Sequence, residues 1–160
     1  MLMLTHAFGR EMTYLRLAVT DCCNLRCHYC MPEKGLDWLP RKDLMTNAEM
    51  LRLCLIFSEL GVSKISITGG EPFLRKDLPA LLSEISTLEN IQDLSLTTNG
   101  LLTANYLEVI KKAKIKSVNL SLDTLDDARF FQITRRKGLD KLLNTMHLLI
   151  DHQIKVKLMQ

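Results

Sequence analysis

Residues 14–30, YLRLAVTDCCNLRCHYC, decide the reading of this chain. Leu15 to Thr20 is a short β-rich run, and a loop bearing Cys22, Cys23, Cys27 and Cys30 follows it directly. A strand that ends in a chemistry-bearing loop is the habit of parallel α/β folds, whose sites are built at the C-terminal ends of the strands.

The same unit recurs along the chain. Thr46 and Glu49 have the spacing of a capping box, an apolar run continues to Leu60, and Gly61 reads as its C-cap. Val62, Ile65 and Ile67 then lead a second strand into TGGEP, residues 68–72. Asp77 is placed to cap a helix with Pro79 in its first turn and Leu78, Leu81, Leu82 and Ile85 as its apolar stripe. Asp93 to Thr98 reads as a third strand and Asn99-Gly100 as a turn. A helix is predicted over Thr103 to Lys112, a fourth strand over Lys116 to Leu122, and a short helix near Asp126 to Ile133. Leu139, Leu142, Leu143, Met146, Leu149 and Ile150 keep helical spacing, and a fifth strand begins at Lys155.

Repeated β–α units imply an α/β fold with a parallel sheet and right-handed crossovers. Residues 1–13 read as an N-terminal extension and 14–160 as one core domain. A complete α/β barrel needs roughly 200 residues or more, so the expectation is a partial barrel that stops in or after its fifth strand. An unclosed sheet edge would favour self-association, which leaves room for a homodimer.

The bulk composition is that of an ordinary globular domain, 47% hydrophobic and 24% charged. A net charge of +3 is too small to argue for nucleic acid. No apolar run approaches the roughly 18 residues that a membrane span needs, and residues 1–12 lack a continuous apolar signal core. The expected setting is cytoplasmic, where clustered cysteines point to a metal or redox site sooner than to disulfides.

Cys23, Cys27 and Cys30 have C-x3-C-x2-C spacing. A compact loop can turn three thiolates toward one iron–sulfur cluster, which suits soft sulfur ligands. Three ligands would leave one iron open to a small molecule, whereas a structural zinc site closes with four. Cys22 or His28 could supply a fourth, so zinc stays open at this point. Cys54 lies in an apolar helix and reads as core.

This spacing after a first strand resembles the signature of the radical S-adenosylmethionine (SAM) superfamily. The resemblance implies a partial (β/α)6 TIM-barrel-like radical SAM domain holding a 4Fe-4S cluster through Cys23, Cys27 and Cys30. In that family the open iron chelates SAM, and reductive cleavage gives a 5'-deoxyadenosyl radical. Residues 14–40, SITGGEPFLRKDL (66–78), LSLTTNG (94–100) and the later SLD and ITRR segments are similar to the GTP 3',8-cyclases of molybdenum cofactor biosynthesis. Those enzymes convert GTP to (8S)-3',8-cyclo-7,8-dihydroguanosine 5'-triphosphate.

The match implies SAM contacts from Tyr29 through its backbone, from Gly69, Gly70, Glu71 and Pro72, and from Ser121, with Asp123 beside it. Without the family, Gly69-Gly70 is a tight turn and Asp123 a helix cap. The match also implies GTP contacts from Arg16, from Thr97 (or Thr98, with Asn99) and from Lys157, and an electron donor of the flavodoxin or ferredoxin type. Trp38 is expected to pack the loop over the cluster, and Arg135-Arg136 to be a solvated pair.

Two positions depart from the family pattern. Ser66 stands where a GTP-contacting arginine is expected, and Cys22 where an arginine usually precedes the first ligand. The family's second cluster has no counterpart in these 160 residues. The alternatives are a radical SAM enzyme with another substrate, or an inactive cluster- or zinc-binding fragment.

Overall fold

The computed structural model describes residues 4–5 and 7–159. Five strands, β1 (Tyr14–Ala18), β2 (Lys64–Thr68), β3 (Asp93–Thr98), β4 (Ser117–Ser121) and β5 (Lys155–Met159), form one sheet in sequence order. All four pairings are parallel. The crossovers carry α1 (Asn47–Glu59), α2 (Leu78–Ile85), α3 (Leu107–Lys112), α4 (Asp127–Thr134) and α5 (Leu139–Asp151). Among the described residues the sheet is open, with β1 and β5 at its edges.

The two faces of the sheet differ because side chains alternate along a strand. Leu17, Ile65, Ile67, Leu94, Leu96, Val118 and Leu120 are buried against the helices. They meet Met50, Cys54, Leu78, Leu81, Leu82, Ile85, Ile110 and Leu149. Each large aliphatic chain buried this way contributes about 1.5–3 kcal/mol. The alternate residues are polar: Arg16, Ser66 and Ser95 share one row, and Thr97, Asn119 and Lys157 another. A polar inner face on a parallel sheet is a site-bearing surface, since such sheets are usually apolar on both sides.

The capping box at α1 forms as its spacing predicts. Thr46 accepts from the Glu49 N–H at 3.2 Å, and the Glu49 carboxylate accepts from the Thr46 N–H at 2.7 Å. Thr46→Ala is expected to cost about 1 kcal/mol, read as a lowered urea midpoint with unchanged slope. Cys54 is in the core, where burial pushes its thiol up to about 11.

Three local expectations change. Leu60 is the cap of α1, and Gly61 follows it at φ 96°. Asp77 precedes α2, but its side chain does not cap the helix; its carboxylate pairs with Arg75 at 3.0 Å and Arg41 at 3.5 Å. The helix predicted over Thr103 to Lys112 is a 3-10 turn (Thr103–Tyr106) followed by α3. The break falls where the Thr103 hydroxyl meets the Thr98 hydroxyl at 3.0 Å and the Tyr106 ring stacks on Phe73 at 4.4 Å.

Candidate cofactor site

The loops after β1, β2, β3 and β4 lie at the same end of the sheet, and each carries part of the predicted site. The cysteine loop docks on TGGEP through backbone bonds. Gly70 N–H donates to the Thr20 carbonyl at 2.8 Å, and Glu71 N–H to the Cys22 carbonyl at 2.7 Å. This approach is what the two glycines permit. A Cβ on Gly69 would lie 2.3 Å from the Thr20 carbonyl oxygen, and one on Gly70 would lie 2.1 Å from that of Cys22. Both glycines remain exposed on their other side.

The resemblance implies a SAM contact from Glu71, and the structure buries its side chain. It is 0% exposed. Its carboxylate accepts from the Thr98 hydroxyl at 2.8 and 2.9 Å, the Asn99 N–H at 2.8 Å and the Phe73 N–H at 3.2 Å. Burial pushes the carboxyl up from its ordinary value, against the pull of these donors. Glu71 therefore clasps the loop after β2 to the end of β3.

The far side of the cysteine loop is held by the ITRR segment. Arg26 N–H donates to the Thr134 carbonyl and His28 N–H to that of Ile133, both at 2.9 Å. Arg135, at φ 54°, sends its guanidinium to the carbonyls of Arg26 at 3.0 Å and Met31 at 3.2 Å. This corrects the expectation of a solvated arginine pair: Arg135 buttresses the loop, and Arg136 alone is exposed. Trp38 packs on the loop from outside, with the Arg26 guanidinium 5.5 Å from its ring centre.

Tyr29 is 58% exposed, and its hydroxyl donates to the Asp123 carboxylate at 2.9 Å, joining the cysteine loop to the end of β4. Lost solvation, then this hydrogen bond, pushes its phenol up. Asp123 is thus not a helix cap. Asp126 caps α4, accepting from the Arg129 N–H at 2.7 Å. Ser121 is the last residue of β4, beside Asp123.

Two of the three thiols are shifted by their surroundings. Burial pushes Cys23 up, with Glu71 and Cys30 adding to it, while the Leu25 N–H and Asn99 pull it down. Burial likewise pushes Cys27 up, with Cys30 and Cys23 as added negative neighbours. Thiolates that repel each other need a cation to hold them ionised, and an iron centre supplies it. Among the described residues no three His, Cys, Asp or Glu side chains converge closely enough for one metal ion. The chemistry of the donor set, three soft thiols on one loop, suits an iron–sulfur cluster with one iron left open.

The predicted GTP-side residues share the polar inner face but not one cluster. Thr97 accepts from the Asn119 amide at 3.2 Å, and Lys157 is the register partner of Asn119. Arg16 is exposed on the opposite edge strand, beside Ser66. Ser66 itself is 1% exposed, and its hydroxyl has no partner among the described residues.

Sequence reasoning missed Arg75. Its guanidinium reaches the carbonyls of Val19 at 2.9 Å and Met45 at 3.0 Å, and Asn47 Oδ1 at 2.9 Å. It braces the strand end just before the cysteines. The signal available was its place three residues after TGGEP, where a surface cation is the commoner reading.

Known proteins are similar to this chain in sequence and in fold. The chain is 46% identical over 140 residues to GTP 3',8-cyclase of Peptoclostridium acidaminophilum, covering 88% of this chain and 43% of that protein. It is 43% identical over 149 residues to the mitochondrial GTP 3',8-cyclase of Arabidopsis thaliana, covering 93% and 38%. With molybdenum cofactor biosynthesis protein 1 of Homo sapiens it shares 43% over 148 residues, covering 92% and 23%. The chain thus spans between about a quarter and two-fifths of these relatives. In fold it resembles HydG, a maturase of FeFe-hydrogenase, with TM-score 0.70 at 19% identity, over 91% of this chain and 34% of that one. It also resembles anSMEcpe with bound AdoMet, with TM-score 0.68 at 18% identity, over 91% and 43%. The Radical SAM superfamily profile matches residues 17–159, nearly the whole cysteine-loop-to-β5 framework, and the chain belongs to that superfamily.

Proposed function

We propose that this chain is the cluster- and SAM-binding part of a GTP 3',8-cyclase, which makes (8S)-3',8-cyclo-7,8-dihydroguanosine 5'-triphosphate from GTP. The observation that carries the reading is the identity of 43–46% to proteins of that name, over 88–93% of this chain. Cys23, Cys27 and Cys30 hold the 4Fe-4S cluster. When bound, the cluster and SAM supply one-electron hydrogen abstraction from the substrate. Gly69 and Gly70, both exposed, offer backbone to SAM, with Tyr29 and Ser121 on neighbouring loops. The expected contact at Pro72 is lost to burial, its carbonyl accepting from the Arg75 N–H at 3.0 Å. Glu71 acts here by fixing that backbone, since its carboxylate is consumed inside.

Arg16 and Lys157 supply cations for the triphosphate from the two edges of the inner face, with Thr97 between them. Arg16→Ala or Lys157→Ala in the full-length enzyme is expected to raise the KM for GTP about tenfold, with kcat changed less. An unchanged KM in both variants would remove these residues from the substrate site. The electron donor is of the flavodoxin or ferredoxin type. No helix among the described residues is long and apolar enough to cross a membrane.

Anaerobic reconstitution followed by EPR, with and without SAM, tests the cofactor half of the reading. A cluster signal that shifts on adding SAM is expected, and a signal blind to SAM would sink it. The full-length protein with SAM and reductant should consume GTP. A second reading, the same chemistry on another substrate, is favoured by one observation: Ser66, buried and small, where the cyclases are expected to place an arginine. SAM cleavage that responds to another substrate and not to GTP would establish it.

A further inference from the structure

The cluster reading leaves Asn99 without a role, although it is 8% exposed and faces the first cysteine. Its backbone N–H and both polar atoms of its side chain are engaged. Its N–H donates to the Glu71 carboxylate at 2.8 Å, and its Oδ1 accepts from the Leu101 N–H at 3.1 Å. Those two bonds fix the ring-like turn after β3 and leave the side-chain amide nitrogen aimed at the cysteine loop. That nitrogen donates to Asn24 Oδ1 at 2.7 Å and lies 3.9 Å from Cys23 Sγ, within hydrogen-bonding reach of a sulfur acceptor. The Leu25 N–H reaches the same sulfur at 3.4 Å.

We propose that Asn99 is a positioning residue that tunes the iron–sulfur cluster, raising its reduction potential through a hydrogen bond from its side-chain amide to the Cys23 sulfur. The inference rests on Cys23 being a cluster ligand. When the cluster takes up one electron, its sulfurs gain negative charge, so an N–H aimed at one of them stabilises the reduced form more than the oxidised form. Removing that donor leaves the oxidised form favoured. The effect reaches the cluster from a different strand loop than the ligands, and its geometry depends on the Glu71 clasp that holds the Asn99 backbone.

The test is an EPR-monitored redox titration of the full chain after anaerobic reconstitution, with dithionite as the electron source. Asn99→Leu keeps the size and removes the donor without adding charge. Asn99→Asp keeps the acceptor for Leu101 and replaces the donor by a negative charge. Leu is expected to lower the reduction equilibrium constant about tenfold, a shift of about 59 mV to more negative potential for a one-electron couple. Asp should shift it further in the same direction. Iron content and thermal melting are read for each variant, and the potential is compared at matched cluster occupancy.

A Leu variant with a full cluster at the unaltered potential would overturn the proposal, as would a shift toward positive values. Loss of cluster in the Leu variant is answered by the Asp variant, whose retained cap keeps the turn; an unshifted Asp variant is equally fatal. An unaltered chain that takes up no cluster at all marks a different failure, that of the family chemistry in this chain, and removes the proposal with it.

Discussion

Gly70→Ala is expected to unseat the cysteine loop, with a loss of about 3 kcal/mol of stability and most of the reconstituted iron. The added Cβ would lie 2.1 Å from the Cys22 carbonyl oxygen and 2.5 Å from that of Asp21. Both obstacles are backbone, so no rotamer change relieves the clash. Relief requires parting the loop from TGGEP, which breaks the Gly70–Thr20 and Glu71–Cys22 hydrogen bonds. Cys23 is the next residue along, so the first cluster ligand moves with the displaced carbonyl. Urea unfolding and iron analysis after reconstitution check this. An alanine variant with unaltered midpoint and iron content would show that the loop tolerates separation from β2.

Glu71→Gln should cost about 2 kcal/mol at neutral pH, because an amide presents its own N–H groups to a pocket of donors. The Thr98 hydroxyl can turn, but the Asn99 and Phe73 N–H groups cannot. The pH dependence has a defined sign. Burial raises the Glu71 carboxyl above its ordinary 4.5. The folded chain then binds this proton more tightly than the unfolded chain does. Its contribution to stability is therefore fullest at low pH and declines as pH rises from the unfolded value through the raised folded one. Glutamine has no such decline, so the stability gap between the two proteins should narrow with rising pH. Urea midpoints measured across that range decide it. A gap that widens with pH would mean that the hydrogen bonds outweigh burial.

The capping box at Thr46 and Glu49 formed as spacing predicts, because its partners lie within one helical turn. The strand over Asp93 to Thr98 and the helix beginning at Leu139 also follow the sequence pattern, being set by local periodicity and bounded by turn residues. The contacts of Arg75, Glu71 and Arg135 are illegible in the sequence for a common reason. Each is a charged residue that sequence assigns to solvent or ligand, and each spends its charge on chain atoms that only folding brings near. The three partners lie 56, 27 and 109 positions away.

By itself the sequence determined the alternation of strands and helices, the apolar face of the sheet and the three thiols of one loop. Those follow from residue type and spacing over a few positions, where side-chain alternation and helical period act directly. Tertiary structure alone decided which loops touch. It set the glycines of TGGEP against the backbone of Thr20 and Cys22, turned Glu71 inward, and brought the Asn99 amide to Cys23. The physical reason is the parallel sheet. Neighbouring strands place residues from distant parts of the chain side by side, so the contacts at their ends depend on pairings between segments far apart in sequence.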